Sequence, residues 1–151
     1  MENLTLKCNT KTDPREARRV LLDSSFLFIP PNFEIDIFRE LTQLLNGRFE
    51  PIVLSATVRE LQKLSRSKST KIRKQADIAL KFAEQCRVHD ASEEKHESHD
   101  DVIVRIAKTI GCIVATNDKT LRKRLRNLKV PVIFLRQKTK LDAIGALEYA
   151  R

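Results

Sequence analysis

The chain has 151 residues, the size of one typical globular domain, and 41% of them are hydrophobic while 32% are charged. This balance excludes a disordered chain, residues 1–19 are too polar for a secretory signal, and no apolar run approaches the roughly 18 residues of a membrane span. We therefore expect a cytoplasmic protein with no membrane partner. The 29 lysines and arginines against 20 acidic residues give a formal charge of +9, which favours a polyanionic partner, most often nucleic acid.

Short apolar runs alternate with amphipathic helical patterns along the chain. In the first part, the predicted elements are a polar lead-in at 1–18 with a short strand at 4–7, a strand at 20–22, a chain break at 30–32, a helix at 33–46, a strand at 51–54, a helix from 55, a basic serine-rich loop at 65–71, a helix at 71–85 and a short strand at 87–89. In the second part, they are a polar loop at 90–98, a helix at 100–110 ended by Gly111, a strand at 112–115, a basic helix after 118, a strand at 132–135, and a basic then mixed tail at 136–151 with a helix at 141–149.

This alternation is typical of an α/β fold. We predict a single domain over 1–151, with a central parallel sheet of about four to five strands and helices on both faces. The long helix at 71–85 is expected to bury Ile72 among its apolar residues. The three cysteines form no paired motif, and Cys86 and Cys112 are expected to be buried thiols.

Acidic residues stand where predicted strands end and predicted helices begin. Asp23 follows the first strand, Glu60 lies in the helix after the second, Asp100 and Asp101 open a helix, and Asp118 follows the next strand. In an open parallel sheet these places share one rim, where ligands bind. Several carboxylates stay ionised together only with positive charge among them, and such a set suits Mg²⁺ or Mn²⁺. The bound ion would lower the pKa of water and stabilise charge on phosphorus.

Each acid also has a purely structural interpretation. An aspartate after a strand commonly caps a helix or forms an Asx-turn, which fits Asp100, Asp101 and Asp118. Asp23 stands between apolar runs and Glu60 is expected beside the apolar face of its helix, where an unpaired carboxylate is costly. A phosphate-binding glycine loop, zinc-type spacing and a nucleophile elbow are all missing from the sequence.

Together these motifs resemble a PIN-domain nuclease. The residues DSSFL at 23–27 match the family's opening D-[ST]-[SN]-x-[LI], and VREL at 58–61 matches its helical glutamate. DDVIV at 100–104 matches its D-x-x-I helix start, and IVATND at 113–118 matches its T-x-D strand end, with order and spacing agreeing over 20–135.

The stretch from 100 to 135 is similar to the branch that contains the eukaryotic pre-rRNA endonuclease of the small-subunit processome. The chain lacks the long basic N-terminal extension of eukaryotic members, so we expect a minimal archaeal-type version. The resemblance implies hydrolysis of RNA that leaves a 5′-phosphate and a 3′-hydroxyl. It implies that the catalytic and metal-binding residues are Asp23, Glu60, Asp100 and Asp118, supported without direct ligation by Ser24, Asp101, Thr116 and Asn117, with Thr116 or Ser24 orienting Asp23.

Basic residues form two groups along the chain, which we expect to hold the RNA backbone. The first group comprises Lys119, Arg122, Lys123, Arg124 and Arg126, and the second comprises Arg66, Lys68, Lys71, Arg73 and Lys74. The alternative for each is a solvated helix face. With no tryptophan and one tyrosine, the chain lacks the stacking platforms of aromatic-rich RNA readers, so backbone contact is the expected mode.

The predicted function is a metal-dependent endoribonuclease of ribosomal RNA processing. Its expected partner is RNA, in particular pre-rRNA, with a second copy of the chain or a ribosome-assembly protein as further candidates. The alternatives are a toxin ribonuclease of a toxin–antitoxin pair and a non-catalytic RNA-binding scaffold, while a flap-type DNA nuclease would need helical elements for which the chain has no room.

The polar loop at 90–98 mixes histidine with acids, including Glu93, Glu94, His96 and Glu97. A second metal site there is one hypothesis. We expect instead a solvated, mobile loop, because nothing in the sequence fixes the spacing of these side chains.

Overall fold

The structure is a computed structural model, and it describes residues 17–145. The predicted strand at 4–7 and the end of the predicted helix beyond 145 lie outside these residues. Within them, the elements are β1 (Arg18–Leu22), α1 (Ser24–Leu27), α2 (Ile29–Phe33), α3 (Ile37–Leu44), β2 (Phe49–Leu54), α4 (Ser55–Leu64), α5 (Thr70–Ala83), β3 (Arg87–His89), α6 (His99–Ile110), β4 (Ile113–Ala115), α7 (Lys119–Asn127), β5 (Val132–Arg136) and β6 (Lys140–Ile144).

One six-stranded sheet in the order β3-β2-β1-β4-β5-β6 organises these elements. Its first five strands in that order are parallel, and β6 runs antiparallel to β5. The chain winds from β1 outward to β3 and then returns to place β4 on the other side of β1. Ligands bind outside the carboxyl ends of strands at such a switch point. The carboxyl ends of β1 and β4 are joined by a hydrogen bond from Asp23 N to Ala115 O at 2.9 Å. A ligand site is therefore expected at these two strand ends.

Both faces of the sheet are covered, as the near-continuous apolar runs of parallel strands require. Val20 and Leu22 of β1 belong to the core on one face, together with residues of α1, α3 and α5. Leu21 points to the opposite core, which α6 and α7 complete. The predicted α/β fold with helices on both faces is confirmed, with six strands where about four to five were expected.

The region after β1 differs from the prediction of a chain break at 30–32. Pro30 and Pro31 lie at the start of α2, where a missing N–H leaves no helical hydrogen bond unmade. The interruption comes later, at Glu34, whose φ of 56° ends α2. Helix α3 then begins behind the cap of Asp36, whose carboxylate accepts from the Phe38 and Arg39 amides.

The predicted helix at 141–149 is wrong over its described part, because residues 140–144 form β6. Pairing with the open edge of β5 decides this structure, since Leu141 is buried against the sheet. The prediction for Ile72 is also wrong. It is 39% exposed, because α5 packs through the small residues Ala76, Ala79 and Ala83.

The two cysteines that the structure describes are buried free thiols, as predicted. Burial raises the pKa of Cys86 and of Cys112 to about 12, so neither is a reactive thiolate near neutral pH. Within residues 17–145, no helix is long and apolar enough to cross a membrane.

Candidate active site

Asp23 directly follows β1 and is buried, with 4% of its surface exposed. Its Oδ2 accepts hydrogen bonds from Ser25 Oγ and from Thr116 Oγ1, each at 2.9 Å. Asp23 also occupies the N-cap position of α1, but its side chain makes no capping hydrogen bond there. The carboxylate is therefore held by two hydroxyl groups and is not used to cap the helix.

The two hydroxyls are themselves oriented by the backbone after β4. The amide of Asn117 donates to Ser25 Oγ at 3.0 Å, and the amide of Asp118 donates to Thr116 Oγ1 at 3.1 Å. Each hydroxyl carries one hydrogen, which it gives to Asp23 Oδ2. These bonds occupy Asp23 Oδ2, whereas no hydrogen bond from the described residues engages Asp23 Oδ1.

Sequence reasoning named Thr116 or Ser24 as the group that orients Asp23. Of these alternatives the structure selects Thr116, and a second hydroxyl comes from Ser25, which was not named. The side chain two residues after an aspartate is well placed to bond back to it, whereas Ser24 has no described side-chain bond to Asp23.

A third contact to Asp23 comes from the start of α6. His99 Nε2 lies 3.9 Å from Asp23 Oδ1 and 3.1 Å from the hydroxyl of Thr57, a fully buried residue of α4. Sequence reasoning missed Ser25, Thr57 and His99. The spacing of Ser25 two residues after Asp23 is a local signal that could have found it. No local pattern marks Thr57 or His99, because their contacts join elements that are far apart in the chain.

Asp100 lies in the first turn of α6 and is half-buried. Burial raises its pKa most, and the charges of Asp23 and Asp118 raise it further, while His99 and Arg124 act in the opposite direction. Asp100 therefore interacts electrostatically with both other aspartates. It does not cap α6, because Ser98 does so.

Asp118 both caps a helix and belongs to this acidic group. Its Oδ1 accepts from the amides of Thr120 and Leu121 at 2.9 and 3.0 Å, which makes it the N-cap of α7. The capping interpretation is correct for Asp118. Both capping hydrogen bonds end on Oδ1, so capping does not involve Oδ2. Next to it, Asn117 Oδ1 accepts from Leu135 N at 3.3 Å and so ties β5 to the same edge of the sheet.

Asp101 points elsewhere. Its Oδ2 accepts from Ser98 N at 2.9 Å in a capping box, and its Oδ1 lies 2.6 Å from Arg124 Nη1. The Ser98 amide and the Arg124 guanidinium hold the pKa of Asp101 below its usual range. Both oxygens of Asp101 are used in these bonds.

Glu60 lies in the second turn of α4 beside the buried face, as expected, but its side chain is exposed, so it does not carry the cost of a buried unpaired carboxylate. Ala56, Thr57 and Leu61 take the buried face. Glu60 follows Thr57 by three residues and therefore shares its side of the helix, the side that meets His99. It is not among the groups with the largest effects on Asp100.

The basic residues of the first group lie on α7, which begins at Asp118. Lys119, Lys123 and Arg126 are exposed, while the guanidinium of Arg122 lies 4.2 Å from the centre of the Phe134 ring. In the second group, Arg73 Nη1 donates to Ser67 O at 3.1 Å and closes the basic loop. The other four members of that group are Arg66, Lys68, Lys71 and Lys74, all exposed.

The donor atoms at this edge fit a hard divalent cation held partly through water. Among residues 17–145, no three His, Cys, Asp or Glu side chains converge closely enough to form a ready cage. The free Oδ1 of Asp23, the interacting carboxylate of Asp100 and the unused Oδ2 of Asp118 nevertheless offer oxygen ligands of the preferred kind. Mutual repulsion keeps such groups apart until positive charge is present.

Fold and site together define an α/β domain with three interacting carboxylates at the switch point of its sheet. The sequence profile of the PIN like domain family matches residues 20–138, and the chain belongs to this family.

The similar proteins include ribonucleases named VapC and a protein named for rRNA processing. The chain is 29% identical over 128 residues to ribonuclease VapC4 of Methanocaldococcus jannaschii, covering 84% of this chain and 97% of VapC4. It is 33% identical over 117 residues to the rRNA-processing protein FCF1 of Saccharomyces cerevisiae, covering 76% of this chain and 57% of FCF1. The resemblance to the processome branch of the family thus has a counterpart in FCF1.

Solved structures share the fold of this chain. The PIN domain endonuclease Utp24 superposes with a TM-score of 0.66 at 28% identity, covering 83% of this chain and 90% of that one. VapBC2 from Rickettsia felis, bound to a DNA fragment from its promoter, gives a TM-score of 0.59 over 78% of this chain and 99% of that one; at 18% identity it shows similarity of fold alone.

Proposed function

We propose that this chain is a divalent-metal-dependent endoribonuclease. The observation that carries the proposal is the placement of three aspartates at the β1–β4 switch point: Asp23 follows β1, Asp118 follows β4, and Asp100 lies next to His99, whose Nε2 is 3.9 Å from Asp23 Oδ1. The charges of Asp23 and Asp118 accordingly help to raise the pKa of Asp100. Support comes from relatives named as ribonucleases and from a structural relative named as a PIN domain endonuclease. A scaffold without catalysis would have no need to maintain this cost of repulsion.

Asp23, Asp100 and Asp118 would hold Mg²⁺ or Mn²⁺, with Glu60 reaching the site from α4. The cation would activate water and stabilise the charge that develops on the phosphate. The hydroxyls of Ser25 and Thr116 keep Asp23 Oδ2 occupied, so its Oδ1 faces the site.

RNA would approach along α7, because this helix begins at the acidic edge. Lys119 lies directly after Asp118, and Arg122 and Lys123 follow within about one turn. Arg126, about two turns along, and the exposed members of the second basic group would contact phosphates further from the cleaved bond.

Cleavage is tested with a labelled single-stranded RNA incubated with Mn²⁺, with Mg²⁺ and with a chelator. We expect internal cuts that depend on the metal and leave 5′-phosphates, and no cuts by Asp100→Asn. Asp77→Asn, an exposed change on α5, serves as the matched control. Binding of RNA without cutting under all these conditions would favour the scaffold.

Within this activity we place the chain in the processing of ribosomal RNA. The similarity to FCF1 and to Utp24, together with the DDVIV and VATND motifs, supports this role. The second candidate is a toxin ribonuclease, which the match over 97% of VapC4 supports. Cleavage rates on ribosomal precursor RNA, transfer RNA and messenger RNA, together with growth after expression in a heterologous host, distinguish the two roles.

A further inference from the structure

Helices α6 and α7 each bring one aspartate to the candidate site. Asp100 lies in the first turn of α6, and Asp118 is the N-cap of α7. The two helices are joined at this point by an ion pair between Asp101 Oδ1 and Arg124 Nη1, 2.6 Å apart. Each partner of the pair thus lies on the helix that carries one of the two site residues.

The pair is fixed firmly on the α6 side. The other oxygen of Asp101 accepts from the amide of Ser98, whose hydroxyl in turn accepts from the amide of Asp101. Asp101 therefore has a single orientation, set by the same turn that holds Asp100. On the α7 side, Arg124 lies less than two turns after Asp118 on one rigid helix.

We propose that the Asp101–Arg124 ion pair is a positioning device that sets the separation of Asp100 and Asp118 for a divalent cation. Arg124 then acts on the site through Asp101 and does not grip RNA, unlike its neighbours on α7. The inference rests on the proposed metal-dependent function and gives Asp101 and Arg124 roles within the same site.

Two simpler accounts predict different behaviour. If Arg124 is a phosphate contact, its loss reduces the salt dependence of RNA binding, and loss of Asp101 does not. If the two charges act only through long-range electrostatics, loss of Asp101 weakens cation binding, whereas loss of Arg124 strengthens it. The positioning role alone predicts that both losses weaken cation binding to a similar extent.

The test measures Mn²⁺ affinity of the full chain by electron paramagnetic resonance of free Mn²⁺, and RNA affinity over a range of salt concentrations. The variants are Asp101→Asn, Arg124→Met, their combination and the conservative Arg124→Lys. Lys123→Met is the matched comparison, an exposed cation one position away. Thermal unfolding of each variant checks that the fold is intact.

We expect Asp101→Asn and Arg124→Met each to weaken Mn²⁺ binding about 10-fold or more, the range typical of residues that orient metal ligands. The double variant should be no worse than either single one, and Arg124→Lys should retain most of the affinity. Lys123→Met should change the salt dependence and not the Mn²⁺ affinity.

Tighter or unchanged Mn²⁺ binding in a folded Arg124→Met variant overturns the positioning role while leaving the proposed nuclease intact. If wild type binds no Mn²⁺ and cuts no RNA, the proposed function fails, and the positioning role fails with it. If Arg124→Met does not fold, Arg124→Gln replaces it: weaker Mn²⁺ binding, similar to that of Asp101→Asn, supports the positioning role, and unchanged or tighter binding overturns it.

Discussion

Thr116 Oγ1 donates a 2.9 Å hydrogen bond to Asp23 Oδ2, which joins the end of β4 to the end of β1 across 93 positions of sequence. Thr116 Oγ1 also accepts a hydrogen bond from the amide of Asp118 at 3.1 Å. One fully buried hydroxyl thus links two aspartates of the candidate site. A neutral side chain therefore helps to set the spacing of these two acids.

Replacing Thr116 by valine tests this link. The change keeps the side-chain shape but leaves Asp23 with one donor and the Asp118 amide without its acceptor. We expect a loss of about 1–3 kcal/mol in the free energy of unfolding, the usual cost of an unpaired buried polar group. RNA cleavage should fall by roughly 10- to 100-fold, the range for residues that orient metal ligands. Urea denaturation and single-turnover cleavage measure both effects.

The matched control is Thr116→Ser, which keeps the hydroxyl and removes only the methyl group. It should retain most of the cleavage rate. Full activity in Thr116→Val would show that Ser25 alone is sufficient to orient Asp23.

Replacing Asp100 by asparagine separates stability from function. Because burial and the neighbouring carboxylates raise the pKa of Asp100, its ionised form destabilises the folded protein. The unfavourable contribution of Asp100 to stability should therefore shrink as pH falls from neutrality through its folded-state pKa, and this change ends below the ordinary aspartate value of about 4. Asparagine is neutral throughout, so without metal the variant should be equally stable or slightly more stable at neutral pH.

The measurement is the unfolding free energy against pH in the presence of a chelator, for wild type, Asp100→Asn and the surface control Asp77→Asn. Only the Asp100 variant should differ from wild type, and the difference should disappear at low pH. Clear destabilisation of Asp100→Asn at neutral pH would mean that the carboxylate makes favourable bonds in the metal-free protein.

Removing three charges from α7 tests the RNA path. Each phosphate contact on a single strand contributes roughly −0.7 to the slope of log K against log salt, so neutralising Arg122, Lys123 and Arg126 should flatten it by about 2. Binding should weaken alike for all RNA sequences, since phosphate contacts do not read bases. The matched variant neutralises Arg66, Lys68 and Lys71 in the second basic group. If the salt slope is unchanged in the α7 variant but flatter in the variant of the second basic group, the RNA binds along the second group and not along α7.

The positions of Asp23, Asp100 and Asp118 could be predicted because strand ends and helix starts are local features of apolar periodicity. The partners of these acids could not. Thr57 and His99 lie in the first turns of α4 and α6, helices of opposite faces of the sheet that meet only in the folded protein, and nothing in either segment specifies the other.

The difference between local pattern and tertiary contact also explains where the predicted fold was wrong. Residues 140–144 have no strong period of their own and become a strand because β5 offers an open edge, which is tertiary context. Glu60 was expected to be costly beside the apolar face, but the buried positions of α4 are Ala56, Thr57 and Leu61, and the Glu60 side chain is exposed. Glu60 follows Thr57 by three residues and so lies on the side of α4 that meets His99.

The loop at 90–98 gives a last prediction, because the structure supplies the anchor that its sequence lacks. Arg105 Nε and Nη2 bond the two oxygens of Glu97 at 2.8 and 3.0 Å, and Nη2 also donates to Ser92 O at 3.1 Å. The premise that nothing fixes this loop is therefore wrong. The pairing holds the pKa of Glu97 below its usual range.

Because Glu97 is engaged by Arg105, we expect no metal site in this loop. Arg105→Gln should speed proteolytic cleavage within 90–98 several-fold, while the Mn²⁺ affinity of the protein stays unchanged. Glu97→Gln should have the same effect on proteolysis, because it breaks the same bidentate pair from the other side. Lys108→Gln, an exposed change one turn further along α6, is the control and should leave proteolysis as in wild type. A loss of Mn²⁺ affinity in Glu97→Gln at intact stability would instead establish a second cation site in the loop.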